Sequence, residues 1–281
     1  MSKEQVIGKE IKCLDHGFVR LVDVMGDDGS IVQAARVSYG AGTKTVNEDR
    51  GLIRYLMRHK HTTPFEMVEF KFHIKLPIFI ARQWIRHRTA NVNEYSGRYS
   101  IMKDDFYLPE LDQIRPQSEN NKQGRSDKAF SEEKASSIRA KLDKVQKELY
   151  SEYETLLEDD LARELARINL PLSNYTEWYW KIDLHNLFHF LRLRIDSHAQ
   201  YEIRIYGEAM ASIVKEIVPH AWQAFEDYSL NSANFSKPEL RAMKLLLEGK
   251  NVDELELDLD SIGLSKREFR EFKLKLEQIN E

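Results

Sequence analysis

Glu69-Phe70-Lys71-Phe72-His73-Ile74-Lys75-Leu76 alternates apolar and polar side chains without a break. Successive side chains of a β-strand point to opposite faces. Phe70, Phe72, Ile74 and Leu76 therefore predict a buried face, and Glu69, Lys71, His73 and Lys75 a wet one. Upstream, Phe18 to Met25 is rich in β-branched residues and reads as a second strand. Gly26 to Gly29 has the composition of a turn, and Ser30 is the expected N-cap of a helix over Ile31 to Val37. Leu52, Ile53, Leu56 and Met57 share one face of a helix over Asn47 to His59. His61 to Glu66 breaks that helix, with Thr63 expected to be extended because it precedes a proline.

Downstream, Pro77 is placed as the first residue of a helix running through Ile78, Ala81 and Ile85. Residues 110–128 read as a polar surface loop with the composition of a disordered segment. Ile138, Leu142, Val145, Leu149, Tyr153 and Leu156 recur at three- and four-residue spacing and mark a long amphipathic helix. A shorter helix is expected over Asp160 to Asn169. Another is expected from near Lys181 past Gln200 to Val218, stopped by Pro219. The fold class that follows is α+β: a small, mostly antiparallel sheet packed with helices. Beyond Ser229 the character changes. Ser236 with Glu239, and Ser265 with Glu268, have capping-box spacing on either side of the acidic stretch Asp253 to Asp260. A catalytic domain over 1–228 and a two-helix extension over 229–281 are therefore expected.

The chain has 281 residues, 42% hydrophobic and 31% charged, with formal net charge −4. No apolar run approaches the ~18–20 residues of a membrane span, and the first residues lack the apolar core of a secretory signal. A cytoplasmic location is expected. Cys13 is the only cysteine, which excludes an internal disulfide and a multi-thiolate metal site. Its neighbours Ile11 and Leu14 suggest a buried residue rather than a reactive thiol.

Against that acidic total, residues 82–98 invert the sign. Arg82, Arg86, Arg88 and Arg98 oppose only Glu94, so the stretch carries 4 − 1 = +3 with His87 neutral. Guanidinium forks match phosphate and carboxylate, which makes the run a candidate anion site; a solvated basic helix face is the plainer reading. The run from Thr89 to Gly97 is dense in amides and hydroxyls, as in a loop that binds a polar ring or ribose. Gly40-Ala41-Gly42 lacks the third glycine of a dinucleotide cradle, and neither a P-loop nor a Gly-x-Ser-x-Gly elbow is present.

His185 and His189 have the i, i+4 spacing of two metal ligands, without the glutamate of a zinc protease pattern. At ~100° per residue, Arg194 lies about 20° from Asp183 and about 180° from His185. One straight helix would then serve two surfaces, an arrangement suited to sites formed between subunits. Arg163, Arg167, Arg192, Arg194 and Arg204 form a second basic set; Arg167, just before Pro171, is placed to reach a phosphate. Arg163 beside Glu164 reads equally as surface charge, Arg204 is spaced to pair with Glu208, and Trp178-Tyr179-Trp180 reads as packing.

Arg86-His87-Arg88, seven residues, then Ser96 resembles the signature of flavin-dependent thymidylate synthases, and the resemblance covers most of residues 10–228. The resemblance implies reductive methylation of dUMP to dTMP, with methylenetetrahydrofolate as carbon donor and NADPH supplying electrons through FAD. It also implies a homotetramer with shared active sites. By position, Thr63, Arg86, His87, Arg88 and Glu94 would contact FAD, as would Asp183, Leu184, His185 and His189; asparagine and arginine are common family choices where this chain has Asp183, His185 and His189. Gln83, Trp84, Ile85, Arg86, Glu94, Tyr95, Ser96, Gly97, Arg98 and Arg167 would hold dUMP. Arg194 would be catalytic, ionising or polarising the uracil. No metal is implied. Cys13 lies outside every one of these groups, so activation of uracil by a thiolate is not expected. The alternatives are a nucleic-acid-binding module using residues 82–98, disfavoured by the acidic total, and a metal hydrolase built on His185 and His189.

Overall fold

The computed structural model describes residues 3–37, 46–119 and 123–279. Gly40-Ala41-Gly42 lies outside them, as do residues 120–122 of the expected loop. The chain divides into two compact units, Met1–Ser229 and Leu230–Glu281.

The first unit is built on a five-stranded sheet: β1 (Glu10–Cys13), β2 (Gly17–Met25), β3 (Glu69–Pro77), β4 (Asn91–Glu94) and β5 (Tyr175–Asp183), in the order β1-β2-β3-β5-β4. Every pairing is antiparallel, as the α+β reading anticipates. The alternation in β3 does what the sequence predicts: Phe70, Phe72, Ile74 and Leu76 are fully buried. On its other face Lys75 pairs with Asp105 at 2.7 Å, and Glu69 with Lys181 at 2.8 Å.

β5 corrects the expected helix from Lys181. Thr176, Trp178, Trp180 and Ile182 are buried while Tyr179 and Lys181 face outward, the period of a strand. Its last residue, Asp183, accepts from the Asn186 N–H at 2.9 Å and so caps the helix Leu184–Arg194. That helix does not continue to Val218. Asp196 accepts from the His198 N–H at 2.8 Å, the chain turns, and a new helix spans Tyr201–Ile217. Gly207 lets the two helices meet: a Cβ there would lie 3.0 Å from Ile195 Cγ2 and 3.5 Å from Arg194 Cβ. Pro219 then opens the helix Pro219–Phe225.

Smaller corrections have local causes. Asp27, not Ser30, is the N-cap of the helix Asp28–Arg36; Ser30 occupies the third position of the same capping box. Thr63 is the first residue of a short helix, Thr63–Glu66, rather than extended; the proline follows it inside the first turn, where its missing N–H costs no bond. Pro77 ends β3 and precedes the helix Ile78–Trp84 instead of starting it. Asn91–Glu94, expected as loop, is strand β4, paired with Trp178 to Lys181. The expected loop 110–128 contains the turn Leu111–Gln113 and a bridge between Gln117 and Arg125. The long helix spans Glu132–Glu158 and the shorter one Arg163–Ala166, followed by a turn over Arg167–Asn169.

Among its described residues the second unit has four helices, Lys237–Leu247, Val252–Glu256, Leu259–Ile262 and Lys266–Ile279, rather than two. The acidic stretch is itself helical because Asn251 and Glu254 form a further capping box. Ala242, Leu255, Leu259, Ile262, Leu264, Phe269 and Phe272 form its core. No helix among the described residues is long and apolar enough to cross a membrane.

Candidate active site

Trp84 sets the course of the basic run. Its indole is fully buried and packs edge-on against Trp178 and Trp180, with centroids 5.7 and 5.3 Å away. Anchored there, the chain turns as the His87 N–H donates to the Trp84 carbonyl at 2.9 Å, leaving Arg86 and Arg88 exposed. Trp84 and Leu184 are fully buried, backbone included, so in the single chain neither presents an atom to a ligand.

His87 meets Arg194 from the end of the Leu184–Arg194 helix. Arg194 Nε donates to His87 Nε2 at 3.0 Å. The imidazole also packs edge-on against Phe190 at 4.9 Å and lies 5.9 Å from the His189 ring. Burial, then the Arg194 and His189 charges, lowers the His87 pKa from 6.5 to about 4. His189 is also lowered, by burial first and then by Arg192, His185 and Arg194. Burial draws Arg194 below the ordinary arginine value, yet a guanidinium keeps its charge at neutral pH. Among the described residues no carboxylate lies within 4.0 Å of Arg194.

At the far end of β4 a second group assembles. The Thr176 hydroxyl donates to the Glu94 carboxylate at 2.8 Å, and the Tyr95 N–H to the Glu177 carbonyl at 2.8 Å. The Ser96 carbonyl accepts from Tyr99 and Ser100, both at 3.1 Å, which curls the chain at Gly97. Gly97 is buried under Arg167: a Cβ would sit 3.0 Å from Arg167 Cδ and 3.3 Å from Nη1. Arg98 pairs with Glu164 at 3.2 Å, and Arg163 donates to the Tyr99 carbonyl at 2.7 Å, so Arg163 holds this loop rather than merely charging the surface.

Between the two groups, Ile85, His87, Arg88, Ala90, Val92, Trp178 and Trp180 line a hollow of about 200 Å³. Among the described residues Trp178 Nε1 is buried without a hydrogen-bond partner, as are Trp84 Nε1 and Gln83 Oε1. Flat apolar walls and an exposed guanidinium suit a planar ring. Of the lining residues, Ala90 and Val92 were not singled out by the sequence reading, and Trp178 and Trp180 were read as packing; the signal for the two tryptophans was the two-residue period of β5.

The remaining candidates are placed on neighbouring elements. Thr63 is exposed on a short helix whose Phe65 meets Phe188 of the Leu184–Arg194 helix at 6.5 Å. Asp183 and His185 lie at the start of that helix, with Asp183 committed to its cap. His185 and His189 find no third ligand: among the described residues no three His, Cys, Asp or Glu side chains gather for a metal ion. Cys13 is buried in β1, and burial raises its thiol to about 12. It is protonated at neutral pH.

The family described as "Thymidylate synthase complementing protein" matches residues 20–220. The chain is 54% identical over 280 residues to a flavin-dependent thymidylate synthase of Rickettsia bellii (strain RML369-C), covering 95% of this chain and 94% of the relative. It is 57% identical over 268 residues to one from Treponema denticola, covering 95% and 97%. Among solved structures, the UMP/dUMP methylase PolB of Streptomyces cacaoi bound with 5-Br dUMP superposes with a TM-score of 0.71 at 31% identity, covering 78% of this chain and 99% of that one.

Proposed function

The chain belongs to the flavin-dependent thymidylate synthase family, and from that premise we propose how its residues divide the work. It is an FAD-dependent methyltransferase that converts dUMP to dTMP. Methylenetetrahydrofolate is the proposed carbon donor and NADPH the proposed reductant. The observation that carries the assignment is a half-buried Arg194 with a neutral nitrogen, rather than a carboxylate, on its Nε. No carboxylate among the described residues cancels its charge.

Uracil C5 is a weak nucleophile. Guanidinium N–H groups of Arg194 at the uracil carbonyl edge favour the N3-deprotonated ring and push electron density toward C5. Cys13, buried and protonated, supplies no thiolate for the alternative route. Arg167, Ser96 and Arg98 take the dUMP phosphate, with Gly97 allowing Arg167 its close approach. Gln83 through Arg86 and Glu94 through Gly97 contribute the rest of the nucleotide site. FAD, when bound and reduced, supplies the electrons that convert the transferred carbon to a methyl group. Thr63, Arg86, His87, Arg88, Glu94, Asp183, His185 and His189 would hold it, with Leu184 contributing from the buried side of its helix, and the hollow lined by Trp178 and Trp180 offers flat apolar walls for its ring.

The two groups flank β4, a four-residue strand that spans roughly 13 Å. Ile85, Val92 and Tyr179 are 48, 41 and 46% exposed beside it, an apolar surface that a second copy would cover. A homotetramer with shared sites follows as the proposed assembly, in the cytoplasm. Arg194→Ala tests the central assignment. A folded, FAD-binding variant that forms dTMP ~100- to 1000-fold more slowly is expected from the loss of one charge-stabilising group. Wild-type turnover would remove Arg194 from the chemistry.

A further inference from the structure

We propose that His87 is a positioning residue locked in a single tautomer: its bare Nε2 aims Arg194, and its Nδ1–H is the donor left for the flavin. The inference rests on the assignment of Arg194 to the uracil ring and adds a second task to a residue placed at the cofactor.

Arg194 Nε lies 3.0 Å from His87 Nε2. A guanidinium has only donors, so the contact is a hydrogen bond only if His87 Nε2 carries no proton. A neutral imidazole with a bare Nε2 holds its proton on Nδ1. The polar partners of His87 are thus fixed on both sides of the ring: acceptor toward Arg194, donor away from it. The Phe190 edge at 4.9 Å blocks ring rotation, and the tight fit of Gly207 against Arg194 fixes the other end of the contact.

The consequence concerns direction. A guanidinium has five N–H groups in one plane. With Nε spent on His87, the four remaining N–H bonds of Arg194 lie on the two Nη atoms at the opposite edge. His87 thereby points the charged fork without neutralising it, which a carboxylate in the same place would do. The charged and titratable groups facing this pair are all basic: Arg194 itself, His189, and beyond it Arg192 and His185. Each of them disfavours a second proton on His87, in keeping with its pKa near 4.

The first test needs no turnover. In full-length protein labelled with 15N-histidine, the His87 signals are those absent from His87→Gln. At pH 7, without flavin, an unprotonated Nε2 and a protonated Nδ1 are expected, unchanged on acidification until near pH 4. A proton on Nε2, or a doubly protonated ring at pH 7, overturns the proposal.

The second test separates the two tasks. His87→Gln places an acceptor near the Nε2 position but removes the Nδ1–H. His87→Asn keeps an amide donor near Nδ1 but has nothing to accept from Arg194. Loss of a hydrogen bond to a charged group spans ~10- to 100-fold, so His87→Asn should lower kcat by that factor while binding FAD nearly as wild type. His87→Gln should weaken FAD binding, read by flavin fluorescence, by about tenfold, and should lower kcat at saturating FAD by less than His87→Asn does. Equal losses of FAD binding and kcat in both variants would mean a merely structural imidazole and overturn the proposal. Wild-type turnover in Arg194→Ala would instead overturn the site assignment and leave the tautomer result standing.

Discussion

Two arginines of the first unit illustrate opposite uses of one side chain. Arg125 donates to Glu202, a carboxylate 1% exposed that also accepts from the Tyr107 hydroxyl at 3.0 Å and from Gln200 Nε2 at 2.9 Å. Every charge there is answered, and burial together with Glu202 raises the Tyr107 pKa and keeps its proton in place. Arg194 is also shielded from water, but its Nε partner is a neutral imidazole. The first arrangement is a clamp; it ties the segment around Arg125 to the start of the Tyr201–Ile217 helix. The second leaves a half-buried positive charge with no carboxylate partner among the described residues, available to an anionic ligand or transition state. Carboxylate pairing marks Arg125 as structural, but pairing alone does not decide the role, since Arg98 meets the exposed Glu164 at 3.2 Å and is still assigned to the phosphate. Arg20 with Glu10 and Arg54 with Asp227 are likewise paired with carboxylates.

The contrast can be broken at either arginine. Glu202→Ala strands Arg125 and the Tyr107 hydroxyl, and should destabilise the fold by ~3–5 kcal/mol in denaturant titration. Activity per folded molecule should fall far less than in Arg194→Ala. A loss of stability below about 1 kcal/mol would deny that Arg125 is clamped. Arg194→Ala should do the reverse: it removes ~3–4 kcal/mol of transition-state stabilisation and changes the unfolding free energy by less than about 1 kcal/mol, because no ion pair is lost.

Arg167→Ala sharpens the comparison, since Arg167 packs against Gly97. The KM for dUMP should rise about tenfold with kcat less affected, as expected for ~1.5 kcal/mol of lost phosphate binding. Equal activity on uridine-like substrates lacking the phosphate would contradict that role.

The pH dependence of stability reports on His87. Its pKa in the folded chain is depressed from 6.5 to about 4, so between these values the unfolded chain takes up a proton that the folded chain refuses. Its contribution to stability is fully present above pH 6.5, is lost progressively as pH falls toward 4, and levels off below. Denaturant midpoints of wild type and His87→Gln should converge on acidification through that window; parallel curves would refute the shift. The smallest effect belongs to Cys13→Ala, with about 1 kcal/mol of lost packing and unchanged dTMP formation.

What was legible in the sequence follows from the range of the interactions. The alternation in β3 is local and was read directly. β5 carried an equally local period, but Trp178, Tyr179 and Trp180 form an unbroken aromatic run whose two-residue rhythm is hidden because Tyr179 is outward-facing yet apolar. The break between the helices ending at Arg194 and starting at Tyr201 has neither proline nor glycine to announce it; the Asp196 side chain makes the turn. The motif named the residues of the candidate site, but not their partners. His87 and Arg194 are 107 positions apart, and only the fold brings one to the other. Gly97 under Arg167 is likewise a tertiary contact, invisible to spacing.

The burial of Cys13 in β1 bears on pharmacology. Pyrimidine analogues that inhibit by becoming covalently trapped on an enzyme's sulfur atom would find nothing here to seize them, and would leave by ordinary dissociation. Selective compounds for this protein are better designed as reversible anions, shaped to a positive fork that no carboxylate among the described residues cancels.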